Sequence, residues 1–182
     1  ANAWLPVPGW TGEHEWEGSI PFEDLTRISN PDSGFFVTAN NRIASEDYPY
    51  FIALDFAPEY RARRIHDRLT DMTGATVEDM ATVHSEIVSI PAQVYSEIIA
   101  RTPPRNVLSA AAKDRMAGWD GSMHEDSVAA TIYSAFRQRL HRQIINHLLG
   151  PLADQALVAG GRGAPGHVRQ ISSLLVTHAQ NG

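Results

Sequence analysis

The sequence predicts an α+β chain, mostly helical with a few short strands. Three observations carry that prediction. The first third is dense in proline, glycine and tryptophan, and reads as turns. Within it, Phe35-Phe36-Val37-Thr38-Ala39 is a short run of aromatic and β-branched residues with the character of a buried strand. From Pro58 onward the apolar residues recur at helical spacing instead. Apolar side chains make up 43% of the 182 residues, enough to build a core.

Leu5-Pro6-Val7-Pro8-Gly9-Trp10 is not a regular helix, since each proline removes an N–H donor and biases its predecessor to extended geometry. Glu15-Trp16-Glu17-Gly18 and Ile20-Pro21-Phe22 continue the irregular style, and Pro21 is placed to open a short helical turn through Leu25. Asn30-Pro31-Asp32-Ser33-Gly34 is a turn, and Asn40-Asn41 ends the run that follows it. Beyond Pro58, Tyr60, Ile65 and Leu69 share a helical face edged by Arg61, Arg64 and Arg68. Thr76-Val77-Glu78-Asp79 is a capped start for a helix through Val88. Pro91 interrupts before a stretch from Ala92 to Ala100, and Thr102-Pro103-Pro104 and Trp119-Asp120-Gly121 are further breaks. The strongest helix starts near Ser127. Val128, Ile132, Phe136, Leu140, Ile144 and Leu148 recur every four residues, and Gly150-Pro151 closes it. A glycine-rich loop over 160–166 precedes a last helix over 168–177. We divide the chain into a turn- and strand-rich segment, 1–72, and a helical segment, 73–182.

The formal net charge is -6 with no basic block, which argues against a nucleic-acid partner. No apolar run approaches the roughly 20 residues that span a bilayer, which argues against a membrane partner. Without cysteine there is no disulfide and no thiolate chemistry. Eight histidines invite metal readings, but the spacings do not support them. His141 and His147 face different sides of a helix, His84 and Glu86 are badly spaced for a helical pair, and His14 lacks a third partner. Loop 160–166 lacks the Lys and Ser/Thr of a phosphate loop.

Four patches in order resemble the β chain of the penicillin acylase family. They are Leu5 to Gly9 (LPVPG), Glu15 to Phe22 (EWEGSIPF), Asn30 to Arg42 (NPDSGFFVTANNR) with Asp47-Tyr48-Pro49, and Arg61 with its helix. Order and spacing match over roughly the first seventy residues; the later helices resemble the family's helical region less specifically. The resemblance implies an internal or C-terminal part of the β chain of an N-terminal-nucleophile hydrolase, truncated at both ends, from a four-layer αββα parent. In such enzymes a freed terminal serine attacks an amide carbonyl, with its own α-amino group as base. The oxyanion is then met by backbone N–H groups early in the β chain and by an asparagine carboxamide. By the match that asparagine is Asn40. Arg61, 21 residues later, is the counterpart of the arginine that holds it in position.

Two departures bear on this. Residue 1 is Ala and no serine stands in the nucleophile's context, so the chain alone is expected to be inactive. The aspartate that ligates calcium in some family members falls at Ile52, so no calcium is carried over. Asp55 would be recruited only by a shift in alignment. The implied partners are the remainder of the same acylase and a small-molecule amide substrate, in the periplasm or outside the cell. No cofactor is implied. Penicillin, cephalosporin, acyl-homoserine-lactone and lipopeptide acylases are all compatible.

Without the resemblance, Asn40-Asn41 would be an ordinary turn, since asparagine tolerates left-handed geometry; Asn41 keeps that structural reading. Arg63 and Arg64 are read as a solvated helix face, and Trp4, Trp10, Trp16 and Trp119 as packing anchors. The alternative to an amidohydrolase is a non-catalytic helical binding module, or an isolated folding unit without activity.

Overall fold

The computed structural model describes residues 6–53, 56–158 and 176–177. The chain divides into two compact units, Ala1–Met72 and Thr73–Gly182. Among the described residues helices dominate, and the short strands anticipated from the sequence do not form. Phe35 to Thr38 adopt no regular structure, and among the described residues β pairing is confined to one isolated antiparallel bridge, Val88 to Ser122. The physical reason is that a strand exists only through a partner, and no described segment lines up along this run to share its backbone hydrogen bonds.

In the first unit, Phe22–Asp24 forms a single 3-10 turn next to Pro21. Two tyrosines pin it: the Tyr48 hydroxyl donates to the Asp24 carbonyl at 2.7 Å and the Tyr50 hydroxyl to its carboxylate at 2.6 Å. That carboxylate, by accepting the phenol, raises the Tyr50 pKa above the usual phenol value. The predicted turn closes from Gly34 N–H to Pro31 O at 2.9 Å. Helix α1 spans Tyr60–Thr70. Ala62 is its buried residue, with Tyr60, Ile65 and Leu69 half-buried as the periodicity predicts. Arg63 is exposed, but Arg64 is half-buried rather than solvated. Phe35 meets His66 of α1 edge-on, ring centroids 5.3 Å apart, tying the irregular segment to the helix.

The buried apolar side chains of this unit are only Ala39 and Ala62 among the described residues. Trp10 and Trp16 are 88% and 95% exposed, so within the described residues they anchor nothing. Trp4, Asp55 and the segments 160–166 and 168–175 lie outside the described residues.

The second unit comprises α2 (Val77–His84), α3 (Ile90–Arg101), α4 (Val107–Met116), α5 (Val128–Leu149) and α6 (Ala153–Val158). Thr76 starts α2 through a reciprocal capping box with Asp79, as its sequence signature predicts, although α2 ends at His84, short of Val88. Pro91 opens α3 rather than interrupting it. It sits in the first turn, where its missing N–H would have had no helical partner, and Ser89 supplies the cap. Asn106 caps α4, which bears no strong apolar stripe.

Ser127 caps α5, and Gly150 ends it at φ 53°, a left-handed conformation suited to glycine. Its buried face carries Ala129, Ala130, Tyr133, His141 and Ile145. This face lies one position beyond the four-residue series, whose Ile132, Phe136, Leu140 and Ile144 are half-buried along its edge. Val128 and Leu148, the two ends of that series, are exposed. Tyr95 of α3 packs on Tyr133 and Phe136 of α5, and Trp119 packs on Tyr133 with its indole N–H donating to Ser122 O at 3.0 Å. Trp119 is thus the tryptophan that acts as an anchor among the described residues.

Candidate functional site

Asn40 follows the irregular Phe35–Thr38 segment and takes a left-handed conformation, φ 62°. Asparagine adopts that geometry more readily than other residues with a Cβ, yet it still needs support from its surroundings. Three contacts provide it. The Asn40 carbonyl accepts the Ala57 N–H at 2.7 Å. The Asn41 carboxamide reaches back, its Oδ1 accepting the Ala39 N–H at 2.9 Å while its Nδ2 donates to Arg42 O at 3.1 Å. Arg61, in the first turn of α1, sends Nη2 to the Ala39 carbonyl and to Asn40 Oδ1, both at 2.8 Å.

The two residues singled out in the sequence are therefore in direct contact. A guanidinium carries donors only, so the atom it faces must be the amide oxygen. This fixes the orientation of the Asn40 carboxamide: Oδ1 is engaged, and the NH₂ points away with no hydrogen bond to any described residue. The result is a neutral, oriented donor backed by a positive charge. Asn40 and Arg61 are both exposed. A cavity of about 360 Å³ lies beside them in sequence but is lined by Arg42, Tyr48, Tyr50, Phe51 and Phe56 among others, not by Asn40. Here the Arg42 guanidinium sits 5.0 Å from the centre of the Phe56 ring.

Periodicity gave no hint of the Asn41 clamp, because a side-chain bond to the N–H two residues back has no sequence period. The doubled asparagine was its one visible trace.

Residues 1–180 match the family model described as penicillin amidase. The chain belongs to the penicillin amidase family. It is 40% identical over 148 residues to a penicillin acylase 2 proenzyme of Pseudomonas sp. strain SE83, a match that covers 79% of this chain and 19% of that protein. It is 27% identical over 163 residues to the acyl-homoserine lactone acylase QuiP of Pseudomonas aeruginosa, covering 81% of this chain and 19% of the relative. A penicillin G acylase of Escherichia coli matches at 47% over 45 residues, 25% of this chain and 5% of that protein. The chain thus spans about a fifth of the length of the first two relatives.

Proposed function

We propose that this member of the penicillin amidase family works as part of an acylase that hydrolyses an amide between an acyl chain and a small amine. Asn40 Nδ2 donates to the oxyanion, and Arg61 aims it. The observation that carries this reading is the 2.8 Å contact from Arg61 Nη2 to Asn40 Oδ1, which leaves the amide NH₂ as the outward group. An amide donor suits a developing oxyanion because it brings no charge of its own that must be desolvated.

The nucleophile, an N-terminal serine or its equivalent, belongs to a part of the enzyme outside these 182 residues. The wall facing Asn40 does too, and the segment by itself is inactive. Support for such a partner comes from the first unit, where Trp10, Trp16, Phe22, Phe36 and Phe51 are all exposed. Side chains of this kind are available to pack against a partner surface. The names of the relatives divide between penicillin and acyl-homoserine lactone, in keeping with a substrate class defined by its acyl amide. We propose a periplasmic or extracellular location for the intact enzyme, which is what the resemblance implies.

The test is Asn40→Ala in the full-length protein, assayed on amide substrates from both classes. Turnover should fall by about 10²–10³, while self-cleavage and folding stay nearly normal. Near-normal kcat on a good substrate would remove Asn40 from the mechanism.

A further inference from the structure

We propose that Asn41 is a positioning residue for the Asn40 donor, and not merely part of a turn. This rests on the reading of Asn40 as the oxyanion donor. The Asn40 backbone is left-handed, which for a residue with a Cβ persists only where the surroundings hold it. Arg61 alone does not hold it: Nη2 grips the Ala39 carbonyl and the Asn40 side chain, but neither contact fixes the N–H side of residue 39. Asn41 Oδ1 does, accepting the Ala39 N–H at 2.9 Å.

Residue 39 is thereby held on both its polar groups, N–H by Asn41 and C=O by Arg61, and it is one of the two buried apolar residues of this unit among those described. The Ala57 N–H fixes the far side through the Asn40 carbonyl at 2.7 Å. The backbone is thereby restrained on both sides of the Asn40 Cα, and the contact with Arg61 orients the carboxamide upon it. The Asn41 Nδ2 bond to Arg42 O, at 3.1 Å, completes the side chain's own orientation and puts Oδ1, not Nδ2, against the Ala39 N–H. Asn41 thus acts on the donor through the backbone, without touching substrate.

Loss of the clamp should misplace the Asn40 amide rather than remove it. The test is a double-mutant cycle in the full-length protein with Asn40→Ala, Asn41→Ala and the double variant, plus Asn41→Asp, which keeps an acceptor for the Ala39 N–H. We expect Asn41→Ala to lose about tenfold to a hundredfold in kcat, with KM changed less than about twofold. In the Asn40→Ala background the same change should cost almost nothing further, because there is no donor left to misplace. Asn41→Asp keeps the acceptor but loses the Nδ2 donor to Arg42 O, so its kcat should fall between those of Asn41→Ala and the parent.

Near-normal kcat in Asn41→Ala beside a crippled Asn40→Ala overturns the proposal and leaves the donor reading intact. So do fully additive losses in the double variant, or an Asn41→Asp enzyme as slow as Asn41→Ala. If neither Asn41 variant matures, Asn41 is a folding residue and the proposal also fails. Near-normal kcat in Asn40→Ala overturns the donor reading itself.

Discussion

Replacing Arg61 by lysine keeps the positive charge but changes its geometry, and the structure sets the size of the effect. In the parent, one guanidinium nitrogen serves both the Ala39 carbonyl and Asn40 Oδ1 at 2.8 Å. The guanidinium plane makes that arrangement rigid, whereas an ammonium on a four-carbon stem is a mobile point charge. It has donors enough for both acceptors, but no plane to hold it between them, so we expect the two contacts to be only partly kept. A hydrogen bond to a charged donor is worth about 1.5–3 kcal/mol, and the exposure of both side chains puts this one at the low end. A loss of about 1.5 kcal/mol from the aim of the donor corresponds to roughly a tenfold fall in kcat. Because the amide itself remains, the loss should be smaller than the approximately 10²–10³ of a removed donor. The assay is steady-state hydrolysis of one amide substrate by the mature full-length enzyme, with kcat and KM separated. A loss as large as that of Asn40→Ala, or none, would refute the assignment of Arg61 as the residue that aims Asn40.

Other outcomes follow from the helical unit. Thr76→Ala removes the cap of α2 and should speed hydrogen exchange of its first-turn amides about fivefold. Backbone and side-chain hydrogen bonds from Thr76 lower the Asp79 pKa, so its contribution to stability is present above the ordinary aspartate value of 3.8 and is lost as pH falls through the lowered folded value. Protection of α2 should therefore hold near neutrality and decline only in acid below that value. Protection that already declines between pH 7 and 5 would show that another group controls the helix. Gly121→Ala and Gly118→Ala both place a Cβ on a left-handed backbone, φ 84° and 72°, but only at Gly121 would it meet neighbours: Gln93 Cγ at 2.8 Å and Ser89 O at 3.0 Å. In denaturant unfolding, Gly121→Ala should cost about 1–3 kcal/mol more than Gly118→Ala. Equal losses would mean that the junction between Ser89 and Gly121 yields freely.

Helices with local signals were legible in the sequence. Ser127, the apolar period and Gly150-Pro151 bracket α5 correctly, and Thr76 with Asp79 marks the start of α2, because caps and breakers act within a few residues. What failed depends on context. Pro91 can end or open a helix, and only the Ser89 cap makes it an opening. The α4 segment has no marked apolar stripe, and its Asn106–Ser109 capping box is less conspicuous than an acidic one. The run Phe35–Ala39 has strand-forming residues, but strand formation depends on a partner and not on the run itself. At the site, the asparagine pair was visible as a turn. The link from Asn40 across 21 residues to Arg61 has no local signal at all, and came from the family resemblance.

The central claim is that Asn40 matters for what its NH₂ donates rather than for what its oxygen holds. Asn40→Asp separates the two, since a carboxylate of nearly the same shape keeps the contact with Arg61, and strengthens it, while abolishing the donor. Measured as kcat on a single amide in the mature full-length enzyme, with the thermal midpoint recorded alongside, this variant should be at least about a hundredfold slower at an unchanged or higher midpoint. Turnover within about threefold of the parent would contradict the account.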